Sequence, residues 1–229
     1  MKKYELIVAA LGEIIDNSEP GDRLPTERAL SQRYGVSAMT VRRALQFLSD
    51  GGRIHAVQGR GTFVAQPTVT KTMTNQSFSQ TMRAQGRVPS ARLLSAAIEA
   101  AESSERSALG LAEGQYVLRV NRLRLGDGTP LAIERASFVA AQFPELLGSD
   151  LTGSLYETLR DKYATVVTRA SFRVRARTPD SEEAELLQIS QRTPCLEAHA
   201  LGRNDSGVMV ESTRSLYRGD LYELGVEFE

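Results

Sequence analysis

Val36-Ser37-Ala38-Met39-Thr40-Val41-Arg42-Arg43-Ala44-Leu45-Gln46-Phe47-Leu48 carries a helix start and two chemically opposed faces. Ser37 is placed to accept a hydrogen bond from the free amides of a first turn. Val36, just before it, is placed to pack on Val41 at the fourth helical position as a hydrophobic staple. At about 100° per residue, Val41, Ala44, Leu45 and Leu48 form one stripe, while Met39, Arg42, Arg43 and Gln46 lie on the outward face. Gly51-Gly52 ends the helix.

Upstream, Leu6, Ile7, Ala10, Leu11, Ile14 and Ile15 recur at helical spacing from Lys2 to about Asn17, and Glu19-Pro20-Gly21-Asp22 breaks the pattern. A second helix is expected from about Thr26 to Tyr34, stopped by Gly35. Downstream, Ile54 to Val57 and Thr62 to Ala65 read as strands around Gln58-Gly59-Arg60-Gly61, a tight turn with one charge at its tip. Three helices and a hairpin make a winged helix-turn-helix layout. In that layout the outward face of the third helix enters a major groove. Arg42 or Arg43 then suits guanine, Gln46 suits adenine, and Arg60 reaches a minor groove or phosphates.

The formal net charge of the chain is zero, which by itself argues against a polyanionic partner. The distribution reverses that reading. From Arg28 to Arg60 there are six arginines (Arg28, Arg33, Arg42, Arg43, Arg53, Arg60) against one acid, Asp50. Acids that cancel the total, such as Glu5, Glu13, Asp16 and Glu19, precede that segment. A local basic surface is what phosphate binding needs, although a solvated charged surface accounts for charge alone.

Leu24-Pro25-Thr26-Glu27-Arg28, Tyr34-Gly35-Val36-Ser37, Thr40-Val41-Arg42-Arg43-Ala44-Leu45 and Gly59-Arg60-Gly61-Thr62-Phe63-Val64 resemble, in order and spacing, the GntR family of bacterial regulators, and specifically its HutC branch. The resemblance implies DNA contacts from Arg28, Ser37, Thr40, Arg42, Gln58, Gly59, Arg60 and Gly61. Many members carry arginine where this chain has Ala38, so one base or phosphate contact of the family is absent. Arg28 also fits a salt bridge within the domain.

Residues 66–76, rich in threonine and polar residues around Pro67, read as an extended linker between a DNA-binding domain (1–65) and a second domain (77–229). In the second domain, helices are expected near Ser77 to Gln85, Ser154 to Lys162 and Ser181 to Leu187. Strands are expected near Tyr116 to Leu125, Pro130 to Phe138, Val166 to Ala176, Pro194 to Gly202 and Val208 to Tyr217. Leu123 to Glu134 and Leu201 to Glu211 look like two copies of one hairpin within an antiparallel sheet. The expected fold class is α+β.

Strand alternation places Leu118, Val120, Arg122 and Arg124 on one face, an apolar run leading into two arginines. Inward arginines are costly unless they meet an anion with good geometry. Met209, Glu211, Thr213, Ser215 and Tyr217 share another face, and Ser154 opens a helix by a capping box. Other readings stay open: Arg124 and Glu134 fit a cross-strand ion pair, Ser154 a plain cap, and Tyr217 an ordinary core aromatic.

The second domain resembles the ligand-binding (UTRA) domain of HutC-type regulators, whose fold is similar to chorismate lyase. The resemblance implies that Arg122 and Arg124 grip a phosphate with Ser77, Phe78, Ser154 and Tyr156. It further implies that Glu134 and Glu211 hold a sugar and that Tyr217 closes the pocket. A non-phosphorylated carboxylate or another small metabolite is the alternative effector.

With 229 residues, 41% hydrophobic and 24% charged, the chain is globular and long enough for two domains. One cysteine, Cys195, excludes an internal disulfide and suits the cytoplasm. No apolar run approaches bilayer length, so no membrane partner is expected. There is no glycine-rich phosphate loop, nucleophile motif or metal-ligand spacing, and only two histidines, so catalytic residues, cofactors and metals are not expected. An enzyme is the competing class only through the lyase-like fold. Helix-turn-helix proteins bind two-fold sites, so the expected partners are inverted-repeat operator DNA, a second copy in a homodimer, and a small anionic effector.

Overall fold

The computed structural model describes residues 3–57, 60–65, 68–72 and 76–226. The chain divides into two compact units, residues 1–68 and 69–229.

The first unit contains α1 (Lys3–Asp16), α2 (Glu27–Tyr34), α3 (Ala38–Asp50), β1 (Ile54–Val57) and β2 (Gly61–Val64). Its core joins Ile7, Leu11 and Ile15 of α1, Leu30 of α2, Val41, Ala44, Leu45 and Leu48 of α3, and Ile54 and Val64 of the hairpin. Ser37 Oγ accepts from the Thr40 amide at 3.2 Å, and half-buried Val36 packs on the same core. Gly35 ends α2 at φ 62°, a left-handed conformation that suits glycine. β1 and β2 pair antiparallel from Ile54↔Val64 to Val57↔Gly61. This is a winged helix-turn-helix.

The second unit is built on an antiparallel sheet of β4 (Pro89–Ala100), β5 (Tyr116–Gly126), β6 (Thr129–Val139), β7 (Thr168–Arg177), β8 (Cys195–Arg203) and β9 (Met209–Arg218). The strand order is β4-β5-β6-β9-β8-β7. Its helices are α4 (Phe78–Ala84), α5 (Ser103–Leu109), α6 (Leu155–Tyr163) and α7 (Ser181–Leu187). The order α4-β4-α5-β5-β6 is followed by α6-β7-α7-β8-β9, so the paired hairpins belong to a larger repeated unit whose halves meet where β6 pairs β9. α5 and α7 pack on one side of the sheet, and both open with a capping box (Glu102 with Glu105, Asp180 with Glu183). α4 and α6 meet the other side, where Arg124 bonds Ser79 and Glu211 bonds Tyr156.

Three expectations needed correction. Residues 69–72, expected in the linker, form β3 (Val69–Thr72), which pairs parallel with β10 (Tyr222–Gly225) inside the second unit. Gln66, Pro67 and residues 73–75 of that stretch lie outside the described residues. β4 has no counterpart among the expected strands. It is a largely exposed edge strand with a bulge between Leu93 and Ser95, so its side chains lack the in-out alternation that marks a half-buried strand. Finally, Met209 does not share the face of Glu211. The register shifts between Gly202 and Arg203, and Met209 packs instead with Val117 and Val139 on the α5 side.

The α5/α7 side is held by ion pairs. Burial pushes the Glu105 carboxyl up, but hydrogen bonds from Arg119 and Ser137 outweigh it and bring it down to about 2. For Glu183 the hydrogen bonds from Arg177 dominate over burial, again giving about 2. Carboxyls held below their unfolded value stabilise the fold above the unfolded pKa and lose that contribution as pH falls through the folded one. The urea midpoint of the second unit is therefore expected to drop between about pH 5 and about pH 3, and Glu183→Gln to flatten that dependence. Parallel pH curves for the two proteins would refute the assignment.

Candidate functional site

Two surfaces carry the candidate residues, one in each unit. On α3 the outward residues stand clear of the core: Met39, Arg42, Arg43 and Gln46 are all exposed. Arg42 donates to both carboxylate oxygens of Glu27 on α2, at 3.3 and 2.9 Å, with its side chain still 63% exposed. The hydrogen bond to Glu27 raises the Arg42 pKa, so its charge is secure. Such an exposed pair is weak in water and presents the guanidinium rather than hiding it. Arg43 lies over the Tyr4 ring at 4.4 Å, and Gln46 donates to Asp50 at 2.7 Å. Exposed Arg28 makes no ion pair or hydrogen bond among the described residues, so the internal salt bridge considered for it is not formed. Thr40 is half-buried at the first turn, its hydroxyl 3.0 Å from that of exposed Ser37.

Arg60 is exposed at the wing tip, with its amide bonded to the Val57 carbonyl at 3.0 Å. Gly61 follows at φ 118°, a backbone conformation that favours glycine, with the exposed Arg23 side chain close by. Gln58 and Gly59 lie outside the described residues. Glu27, Tyr4 and Arg23 escaped the sequence reading because they act on α3 and the wing from other elements.

In the second unit a cavity of about 60 Å³ opens on the α4/α6 side of the sheet. It is lined by all nine candidates, Ser77, Phe78, Arg122, Arg124, Glu134, Ser154, Tyr156, Glu211 and Tyr217, drawn from α4, β5, β6, α6 and β9. The register sets Arg122 directly opposite Glu134, so Arg122, not Arg124, forms the close cross-strand pair. Arg122 donates to Glu134 through Nε at 2.9 Å and through Nη2, and its Nη1 is spent on the Leu151 and Gly153 carbonyls. Arg124 reaches the same Glu134 oxygen only at 3.5 Å, donates to Ser79 Oγ at 3.1 Å, and lies 4.5 Å from the Phe78 ring centre. Its buried Nε has no hydrogen-bond partner among the described residues.

Burial pushes the Glu134 carboxyl up, yet the charges of Arg122 and Arg124 override it and bring it to about 2. Burial lowers the Arg124 pKa, the mark of a cation incompletely compensated by its surroundings. Glu211, 2% exposed, accepts from the Tyr156 hydroxyl and from Thr213 Oγ1 at 3.3 Å. Ser154 Oγ caps α6, 3.4 Å from the Glu157 amide, and Tyr217 stacks on Tyr222 at 4.1 Å. Arg83 of α4 pairs with Glu157 of α6, tying together the helices whose first turns line the cavity. Ser79 and Lys71 also line it and were missed, the latter because its strand read as linker.

His199 contacts Ser212 Oγ at 3.1 Å, and burial, then Arg214 and Arg173, lower its pKa. No group of three or more His, Cys, Asp or Glu residues suited to a metal occurs among the described residues. No described helix is long and apolar enough to cross a membrane.

Residues 3–64 match the gntR family of bacterial regulatory proteins, and residues 84–223 match the UTRA domain. The chain belongs to the GntR family. It is a transcriptional regulator of the HutC type, with a GntR helix-turn-helix domain and a UTRA domain. It is 30% identical to the transcriptional repressor NagR of Bacillus subtilis over 96% of this chain and 91% of that protein. It is 33% identical to the histidine utilization repressor of Pseudomonas putida over 84% and 79% respectively. The crystal structure of PhnF from Mycobacterium smegmatis superposes with a TM-score of 0.74 at 30% identity, covering 97% of this chain and 98% of that one. These relatives are regulators, not enzymes.

In this GntR-family pocket, Gly202 of β8 admits the stem of Glu211: a Cβ would fall 2.6 Å from Glu211 Cγ and 2.6 Å from Val167 Cγ1. Gly202→Ala is expected to destabilise the second unit by about 1–3 kcal/mol through overpacking, read as a lower urea midpoint. An unchanged midpoint would mean that the carboxylate moves aside freely.

Proposed function

We propose that this regulator is a repressor that acts in the cytoplasm as a homodimer on an inverted-repeat operator, and that a small anionic effector, a phosphorylated sugar, controls its DNA binding. Arg42, Arg43 and Gln46 of α3 read base edges, and Arg28, Ser37, Thr40 and the wing residues Gln58 to Gly61 hold the phosphate backbone and the adjacent groove. The repressor names of NagR and the histidine utilization repressor support the sign of regulation. They support no single effector, which has to be argued from side chains.

The observation that carries the effector reading is the buried, partly unsatisfied guanidinium of Arg124, bonded to Ser79, in a cavity that Arg122, Ser154 and Tyr156 also line. Guanidinium pairs and hydroxyls suit the several oxygens of a phosphate ester. Glu134 and Glu211 on the neighbouring strands suit the hydroxyl or amino groups of a sugar, and Tyr217 gives a ring to cover it. The 60 Å³ cavity is well below the usual size of a ligand site, about 300 Å³ or more, so the lining side chains part to admit the effector. Coupling to DNA is then an equilibrium between forms with different operator affinity, biased by what the pocket holds.

Arg42→Ala is expected to weaken operator binding about tenfold or more and to relax base preference at one position, while Arg60→Ala weakens it across sequences and lowers the salt slope by about one. Unchanged affinity in both variants, in a mobility-shift titration, would remove the reading face. In a thermal-shift screen, sugar phosphates are expected to stabilise the protein more than the matching free sugars. Equal shifts from unphosphorylated compounds, or larger shifts from carboxylates, would overturn the phosphate reading.

A further inference from the structure

The α5/α7 side of the sheet, opposite the cavity, carries a row of basic side chains. Arg135 of β6, Arg214 of β9, His199 of β8 and Arg173 of β7 are direct cross-strand neighbours, each facing the next in register. They therefore share one face, at strand spacings of about 4.8 Å. Arg135 donates to Glu183 of α7 at 3.0 Å, which fixes the side of the sheet. At one end of these strands α7 packs over Leu123, Ile133 and Leu216, and at the other α5 packs over Val117 and Val139. The row crosses the stretch between them. Like charges set directly opposite one another in a sheet repel.

The carboxylates beside the row are already committed. Glu183 accepts from Arg135 and Arg177, and Glu197 accepts from Arg175 and Arg177. Arg173 and Arg214, both exposed, make no hydrogen bond or ion pair among the described residues. They flank His199, which is half-buried and contacts Ser212 Oγ at 3.1 Å. The His199 pKa is lowered by burial first and then by the charges of Arg214 and Arg173, with Glu197 acting the other way. An open groove of about 560 Å³ lies here, lined by Arg173, Val174, Arg175, Glu197, His199 and Arg214. Three arginines against one carboxylate leave it at plus two with His199 neutral.

We infer that this groove is a second anion-binding site, for a small phosphate-bearing molecule of two or more charges, with Arg173 and Arg214 as its clamp and His199 between them. Guanidinium forks match phosphate oxygens, and the groove has the volume of a small-molecule site, about 300–1,000 Å³. A bound anion supplies the counter-charge that neighbouring side chains do not. The site is independent of the effector reading, because it draws on none of the residues that line the cavity. The two sites nevertheless share strands: His199 lies between Ala198 and Ala200 of the cavity wall, and Arg214 between Thr213 and Ser215.

The chain has two histidines, His55 in the first unit and His199 in the second, so the His199 ring can be followed by NMR in the full chain. Inorganic pyrophosphate is expected to raise the His199 pKa by about one pH unit, because a nearby anion favours the imidazolium. Arg173→Gln combined with Arg214→Gln is expected to raise that pKa in the absence of the anion and to abolish most of the further rise on adding it. A response to pyrophosphate no larger than that to sodium chloride at equal ionic strength makes the row a solvated surface and overturns the proposal. An undiminished response in the double variant puts the anion elsewhere, in the effector cavity or on the DNA-binding face, and overturns it too. Should the double variant not fold, each single substitution is judged by the same outcomes, with the affinity read at His199 expected to fall about threefold or more.

Discussion

Two guanidinium groups taken out of water on one sheet face constrain everything around them. Removing an ion from water costs several kcal/mol even after relaxation, and the cost is recovered only by close opposite charge and saturated hydrogen bonds. Arg122 meets that condition with a cross-strand carboxylate and two backbone carbonyls. Arg124 meets it partly, through a distant Glu134 oxygen, a serine and an aromatic face. The difference separates a structural arginine, locked to the loop at 151–153, from one with donor capacity to spare. Glu134 is the common counter-ion, and its strongly lowered pKa keeps it charged over any physiological pH.

The repeated topology explains how so many polar groups converge on one place. Each half contributes a helix whose first turn approaches the sheet (Ser77 to Ser79 from α4, Ser154 to Tyr156 from α6) and a hairpin strand carrying a glutamate (Glu134 on β6, Glu211 on β9). The halves join where β6 pairs β9, so the cavity forms beside that seam. The halves differ in charge: β5 brings Arg122 and Arg124 to the wall, whereas β8 brings Ala198 and Ala200. One half therefore sets two cations in the wall, and the other sets small side chains there.

Legibility followed the physics of each element. Two of the helix starts were readable from their caps: Ser37 and Ser154 accept the expected amide hydrogen bonds, whereas α5, which opens with a capping box, was not among the expected helices. Central strands with one buried face were readable to within a residue or two, and alternation alone located Arg122 and Arg124. Elements without that contrast were not. β4 is an exposed edge, and β3 is four residues long among threonines, with only Val69 and Lys71 facing inward. A lysine in such a stretch reads as solvated because its burial depends on a partner strand some 150 residues away, β10.

From the residues alone came the two-faced third helix, the arginine bias of the first unit, and the inward placement of Arg122 and Arg124. Those are properties of local periodicity and composition, which a chain carries wherever it folds, whereas the full set of nine candidate cavity residues came from the resemblance to HutC-type regulators. Only the tertiary structure decided which arginine faces Glu134 and that Glu27 steadies Arg42. It also decided that Met209 turns away at a bulge and that Lys71 sits in the pocket wall. Each of these depends on strand register or on contact between elements distant in sequence, and long-range pairing leaves no trace in the spacing of neighbours.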